Sequence, residues 1–341
     1  MRALRNFAER DLKIVEVDAP PPPGADEVQV RIRAIALNHI DVWGWRGMAF
    51  AKRELPITVG AEASGEIIAV GKKVTNLQTG QLGAIYGANT CGVCDACVEG
   101  RDNFCQDTGG IYGFHVDGFA QEMMNIPARL FIAAPDGLDP VAAACTPVTF
   151  GTVEHMLFDN AKLLPGETIL VHAGGSGIGS AAIQLAKSIG CQVITTVGDD
   201  EKAEKALALG ADHAINYRTD RFEGRVRKIT KKQGVDVVFE HVGVDTWEGS
   251  TFSLKMGGRL VTCGSTTGIK AEINLFQLFQ RQLRLLGSFG CNMGNIATSM
   301  DKLASGAVKP IIDLEIPMER IAEGLKRLED RQVFGKIIVT L

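Results

Sequence analysis

Apolar and polar residues alternate over residues 28–34, where Val28, Val30, Ile32 and Ala34 are separated by Gln29, Arg31 and Arg33. A period of two predicts a half-buried strand. The preceding run Pro20-Pro21-Pro22-Pro23-Gly24 cannot be helical and separates this strand from an opening one. Short apolar runs and frequent glycines continue to about residue 150 and predict a β-rich domain with few long helices. Past Pro165-Gly166 the pattern changes. Residues 168–173 are a short apolar strand, followed by a glycine turn and by apolar positions at helical spacing over 180–189. A strand at 192–197, a helix at 201–209 and a strand at 214–216 come next, and apolar runs at 235–239, 259–263 and 283–287 add further strands. Strands alternating with helices predict a doubly wound parallel sheet, an α/β architecture. The tail returns to the first pattern, with a helix at 319–328 and a closing strand at 336–340.

The length of 341 residues exceeds one typical domain, so two are expected. A formal charge of -4 offers no long-range attraction to nucleic acid or an anionic membrane, and neither is expected as a partner. The chain has no apolar stretch of about 18 residues, and its opening Met1-Arg2-Ala3-Leu4-Arg5-Asn6 lacks the apolar core of a secretory signal. A cytoplasmic protein is expected. Thiols stay reduced there, so clustered cysteines favour metal binding over disulfides.

Two motifs carry chemistry. Gly174-Gly175-Ser176-Gly177-Ile178-Gly179 lies between an apolar strand and a helix, the setting of a dinucleotide site. Its glycines admit a pyrophosphate close to the backbone, and the helix amino terminus offers unpaired N–H groups. The second strand ends Thr195-Thr196-Val197-Gly198, without the tip acid that grips the ribose of NAD(H). Asp199, Asp200 and Glu201 follow, then Lys202. A small tip residue with a nearby cation suits NADP(H), while the flanking acids suit NAD(H). The second motif is Cys91, Cys94, Cys97 and Cys105, a C-x2-C-x2-C-x7-C spacing that can close around one structural zinc ion with no open position. Cys145, Cys191, Cys263 and Cys291 are scattered in apolar surroundings and read as core.

At this point the sequence resembles the medium-chain dehydrogenase/reductase superfamily, which includes zinc alcohol dehydrogenases and zinc-free quinone oxidoreductases. The resemblance spans nearly the whole chain and includes the pattern Gly60-x-Glu62-x-x-Gly65-x-x-x-x-x-Gly71. It implies a GroES-like catalytic domain over 1–150 and 287–341, with a structural-zinc lobe at about 88–106, and a Rossmann domain over 151–286. It also implies a homodimer or homotetramer, with residues 283–289 as an interface strand. The catalytic-zinc ligands of the alcohol dehydrogenases are missing: Asn38, Ala61 and Val148 stand in their positions, and none can bind zinc. Ile40 replaces the hydroxyl that relays the alcohol proton. The segment Asn38-His39-Ile40-Asp41 instead resembles the quinone oxidoreductase and enoyl reductase branches. That places Asn38 beside the nicotinamide and substrate, with Thr152 also near the nicotinamide. Lys202, Tyr217 and Arg331 match the residues that hold the 2′-phosphate in that branch, which favours NADP(H) over NAD(H).

Without a Lewis acid, alkoxide formation loses its main support, but hydride can still reach an electron-poor acceptor such as a quinone or an α,β-unsaturated carbonyl. The sequence therefore predicts a small-molecule oxidoreductase of that kind. Trp43 and Trp45 stand where many zinc-free relatives carry a tyrosine, so no general acid is apparent and solvent is a candidate proton source. His39 is a candidate for contacting the pyrophosphate or shuttling a proton, with a structural role as the alternative. Two other readings stay open. One is a zinc alcohol dehydrogenase with unorthodox ligands, for which His115, Asp41, Glu62 and Cys145 are the candidates; the other is a dinucleotide-binding protein without catalysis.

Overall fold

The computed structural model describes residues 1–47 and 53–341. The chain divides into two compact units, Met1–Gly151 with Cys291–Leu341, and Thr152–Gly290. In chain order the first unit contributes β1 (Arg2–Ala8), β2 (Asp11–Glu16), β3 (Glu27–Ala36), β4 (Ile57–Thr58), β5 (Ala63–Val70), β6 (Leu82–Ile85), β7 (Met123–Pro127) and β8 (Phe131–Ala133). The second contributes β9 (Thr168–Val171), β10 (Gln192–Val197), β11 (His213–Asn216), β12 (Val235–Glu240), β13 (Leu254–Thr262) and β14 (Arg284–Gly287). The first unit resumes with β15 (Ile312–Pro317) and ends with β16 (Lys336–Thr340).

β3 organises the first unit. It pairs antiparallel with β5, β7 and β16, in a sheet ordered β15-β16-β3-β5-β6-β8. Val28, Val30, Ile32 and Ala34 are buried while Arg31 and Arg33 are exposed, the alternation expected of a strand with one face on a core. β16 brings residues from the far end of the chain next to Ala34, Ile35 and Ala36. Lys336, at its first position, is thereby placed beside the turn that leaves β3.

The second unit is the doubly wound sheet, ordered β11-β10-β9-β12-β13-β14 and parallel throughout. All six residues of β12 are buried, as befits a central strand covered on both faces. β10 and β16 occupy the predicted residues, whereas the predicted helix at 180–189 runs from Gly177 to Ser188, so the glycine turn itself forms its first turn. β13 begins five residues earlier than the apolar run at 259–263. Helices Phe222–Ile229 and Val244–Ser253 were not apparent in the sequence. The first buries only Val226; the second buries Ser250 and Ser253. The first is short, with a stripe of only Phe222, Val226 and Ile229 among charged residues, and the second buries hydroxyls in place of an apolar stripe. The C-terminal helix splits into a tight turn, Met318–Arg320, and a helix proper, Ile321–Glu329. No helix among the described residues is long and apolar enough to cross a membrane.

Candidate active site

In the second unit, the chain leaves β9 through His172 and Ala173, whose φ of 47° is in the left-handed region. The Ser176 hydroxyl caps the following helix by accepting from the Gly179 amide at 2.9 Å. A Cβ on Gly174 would run into the Thr195 hydroxyl, and one on Gly179 into the Ala173 carbonyl. These two glycines therefore let helix and turn close onto the strands. Helix geometry leaves the first amides of this helix without intrahelical partners, the feature on which anion sites are built. At the tip of β10, the Tyr217 hydroxyl would lie 2.9 Å from a Cβ placed on Gly198. Asp199 caps the helix Asp200–Ala208, its carboxylate accepting from the Lys202 amide at 2.8 Å, and Asp200 accepts from Asn216 Nδ2 at 2.8 Å. Of the three acids that complicate the choice of dinucleotide, Asp199 and Asp200 are thus engaged in holding their own loop, and Glu201 accepts from Lys205 Nζ at 2.7 Å. Lys202 and Tyr217 belong to this unit, whereas Arg331 ends the helix Ile321–Glu329 of the first unit with φ of 58°.

In the first unit, two of the residues at the three missing-ligand positions, Asn38 and Val148, bond one carboxylate, that of Glu62, the neighbour of the third, Ala61. Glu62 is fully buried. Its Oε1 accepts from the amides of Val148 at 2.7 Å and Thr149 at 2.6 Å. Its Oε2 accepts from Asn38 Nδ2 at 2.8 Å, the Thr149 hydroxyl at 2.9 Å and Lys336 Nζ at 3.0 Å. Lys336 completes its set of donors on the Leu37 carbonyl at 2.7 Å and Asn38 Oδ1 at 2.8 Å. The Asn38 amide gives its second hydrogen to the Ala36 carbonyl at 2.9 Å. Val148 and Thr149 can both aim at one oxygen because residues Thr146–Phe150 form a wide π-helical turn, closed by the Phe150 amide on the Cys145 carbonyl at 3.0 Å.

This geometry bears on each residue singled out in the sequence. Both hydrogens of the Asn38 amide are committed, so a substrate oxygen would compete with Ala36 or Glu62 for them. Asp41 closes a capping box: it accepts from the Asn38 amide at 2.8 Å and, on its other oxygen, from the Ala61 amide at 3.1 Å. Burial nevertheless pushes its carboxyl up to about 6. His39 opens the helix His39–Trp45 and meets the Trp43 ring edge-on, with centroids 6.5 Å apart. Trp45 is buried beneath the Arg10 guanidinium, 4.6 Å from its ring centre, so it builds wall and not pocket. Thr152 is buried in the helix Gly151–Glu154 of the second unit. The sequence offers Glu62 only within the glycine-rich family pattern and as a metal-ligand candidate, and residue 336 only as the start of the closing strand, not as the partner of Glu62. The one signal at that position was a lysine opening the buried run Lys336-Ile337-Ile338-Val339.

The cysteine loop is compact. All four sulfurs lie within 4.8 Å of one another, with Cys91 4.0 Å from Cys97 and 3.6 Å from Cys105. Zn–S bonds of about 2.3 Å in a tetrahedron put sulfurs about 3.8 Å apart, so the donor set fits one zinc ion. Amides of Cys91 and Cys94 point at the sulfurs of Cys105 and Cys91, both at 3.3 Å, as suits thiolate ligands. Among the described residues this is the one cluster of His, Cys, Asp or Glu close enough to share a metal. Among the described residues the alternative set of His115, Asp41, Glu62 and Cys145 is not gathered; Glu62 already accepts from amide, hydroxyl and ammonium donors, and Asp41 from two backbone amides.

Fold and site together define a two-domain, nicotinamide-dependent oxidoreductase. Residues 24–136 match the family model described as alcohol dehydrogenase GroES-like domain, and residues 177–305 match that described as zinc-binding dehydrogenase. The chain belongs to the medium-chain dehydrogenase/reductase superfamily. It is 34% identical over 329 residues to the quinone oxidoreductase of Pseudomonas aeruginosa, covering 94% of this chain and 93% of that one. It is 28% identical over 323 residues to the acryloyl-coenzyme A reductase of Metallosphaera sedula, covering 94% of each. A solved structure described as an NAD-dependent alcohol dehydrogenase superposes with a TM-score of 0.94 at 36% identity, over the whole of both chains.

Proposed function

We propose that this enzyme reduces an electron-poor acceptor, a quinone or an α,β-unsaturated carbonyl, with NADPH and without a catalytic metal, while one structural zinc is held by Cys91, Cys94, Cys97 and Cys105. The observation that carries the reading is the Glu62 knot. Asn38, Ala61 and Val148 offer no metal ligand: the Asn38 side chain is bonded to Glu62, Lys336 and the Ala36 carbonyl, the Ala61 amide to Asp41 and the Val148 amide to Glu62. Bound NADPH supplies a hydride from its nicotinamide ring. The acceptor gains that hydride and one proton, so a quinone leaves as a quinol and an enone as the saturated carbonyl. Amides at the glycine turn and the helix dipole hold the pyrophosphate, Tyr217 lies against Gly198, where a 2′-phosphate would sit, and Lys202 is the candidate counter-ion for it. Asp199, turned to its own helix, does not compete for that place. The committed hydrogens of Asn38 and Lys336 leave solvent as the proton source. The likeness to quinone oxidoreductase and acryloyl-coenzyme A reductase supports this chemistry; the likeness to an NAD-dependent alcohol dehydrogenase supports an alcohol substrate with NAD+.

The two readings separate in one experiment. Protein purified without added metal is expected to carry about one zinc per chain, to oxidise NADPH in preference to NADH with quinones or enones, and to show negligible reduction of NAD(P)+ by simple alcohols. Two zinc ions per chain together with alcohol oxidation would reverse the assignment. We also place a homodimer contact at β14, the outer strand of its sheet, beside exposed Phe276, Phe279 and Phe289. An unpaired apolar edge of this kind invites a second copy. Sedimentation equilibrium should give the dimer mass or a multiple of it; a monomer at micromolar concentration would exclude the contact.

A further inference from the structure

Beneath the glycine turn lies a buried polar chain that the proposed reaction does not use. His172, Glu240 and Ser250 are fully buried and Thr196 nearly so. The His172 ring stands between two hydroxyls, with Nδ1 3.0 Å from Thr196 Oγ1 and Nε2 2.9 Å from Ser250 Oγ. The hydrogen directions follow from what lies at the two ends. Ser250 Oγ is 2.7 Å from Glu240 Oε2, which also receives the Thr246 hydroxyl at 2.9 Å, while Glu240 Oε1 receives the amides of Val242 at 2.7 Å and Gly243 at 3.2 Å. So many donors define an ionised acceptor, and Ser250 must give it its only hydrogen. Ser250 can then only accept from His172, which puts the imidazole proton on Nε2. Nδ1 in turn accepts from Thr196, whose oxygen receives the Ala173 amide at 3.1 Å. Every hydrogen in the chain has one place to go.

The chain joins two loops. One end fixes Val242 and Gly243, which follow β12; the other fixes Ala173, the left-handed residue that opens the glycine turn. Both loops lie at the carboxyl edge of the parallel sheet, where a dinucleotide binds in this architecture. His241 adds a second tie between them, its Nε2 2.9 Å from the His172 carbonyl. Burial holds the His172 imidazole below its ordinary pKa, which keeps it neutral.

We propose that Glu240 fixes His172 in its Nε2–H form and, through Thr196, holds the backbone at Ala173, so that both residues position the dinucleotide from beneath the turn. The inference rests on the glycine turn being the dinucleotide site. It has a sharp signature, because Glu240→Gln offers an N–H where the carboxylate accepted. The amide donates to Ser250, Ser250 then donates to Nε2, and the imidazole proton must move to Nδ1. The chain reverses while the Ala173 bond survives.

Long-range 1H–15N spectra of histidine-labelled apoprotein test this directly, with His172→Phe assigning the resonance. Wild type is expected to show Nε2–H and bare Nδ1, and E240Q the opposite tautomer with NADPH affinity kept within about threefold. His172→Phe, similar in volume but unable to bond, is expected to weaken NADPH about tenfold with its zinc content unchanged. Wild type in the Nδ1–H or doubly protonated form, an unchanged tautomer in E240Q, or undiminished affinity in His172→Phe overturns the inference. Should wild type bind neither NADPH nor NADH, the dinucleotide reading beneath it fails instead. Should His172→Phe not fold, His172→Gln assigns the resonance, and Thr196→Val, which removes the hydroxyl that holds the Ala173 amide, is expected to show the loss of NADPH affinity in its place; undiminished affinity there overturns the inference equally.

Discussion

Replacing Lys336 by methionine is expected to cost about 3–5 kcal/mol of stability, among the largest effects a single substitution can have in this chain. The ammonium is 4% exposed and faces a carboxylate that is 0% exposed. Removing it strands the Glu62 charge without its counter-ion and leaves the Leu37 carbonyl and Asn38 Oδ1 without their donor. The loss should appear as a fall on the order of 10 °C in the melting of the first unit by scanning calorimetry. Adding Glu62→Gln in the same chain should recover part of it, because a neutral amide avoids the stranded charge. A loss below about 1 kcal/mol in the single variant would mean that water reaches Glu62, and the knot would no longer explain how these segments are held.

The second large effect is expected from Gly179→Val. Its Cβ would collide with the Ala173 carbonyl and lie 2.8 Å from the Ser176 hydroxyl that caps the helix. The helix must then back away from the turn, and the amides that face a pyrophosphate lose their common focus. NADPH affinity should fall on the order of 100-fold, measured by quenching of protein fluorescence. Zinc content should not change, since the cysteine loop belongs to the other unit. Retained affinity would show that the dinucleotide does not sit on this turn.

What the sequence disclosed and what it concealed divide along the range of the interactions. β10 was legible at both ends, because Val193, Ile194 and Val197 are apolar and Gly190 and Gly198 punctuate them. The cysteine loop was legible because its four ligands fall within fifteen residues and their chemistry is strict. Helix Val244–Ser253 was not, since Ser250 and Ser253 are its buried residues in place of leucines, nor was Phe222–Ile229, whose three apolar residues are spread over barely two turns among charged ones; tertiary packing overrides local preference in both. The three absent ligands could be read by resemblance, but what replaced them could not. Asn38, Glu62 and Lys336 come from three distant places, and no local pattern marks a lysine at the head of an apolar strand as the partner of a glutamate 274 residues away. The wide turn at Thr146–Phe150 has no pattern either, since its spacing serves one oxygen of Glu62 and not a periodic face.

That separation of 274 residues has a consequence during synthesis. A ribosome adding about 5–20 residues per second makes Lys336 about 14–55 s after Glu62. The second unit, continuous from Thr152 to Gly290, is complete before then and free to fold behind the moving ribosome. The first unit is not. Its central strand β3 waits for β16, and the Glu62 carboxylate stays in water until Lys336 arrives to neutralise it. Closure of the first unit is thus timed by the emergence of Lys336, and a chain cut short before that residue carries an open sheet edge for quality control to find.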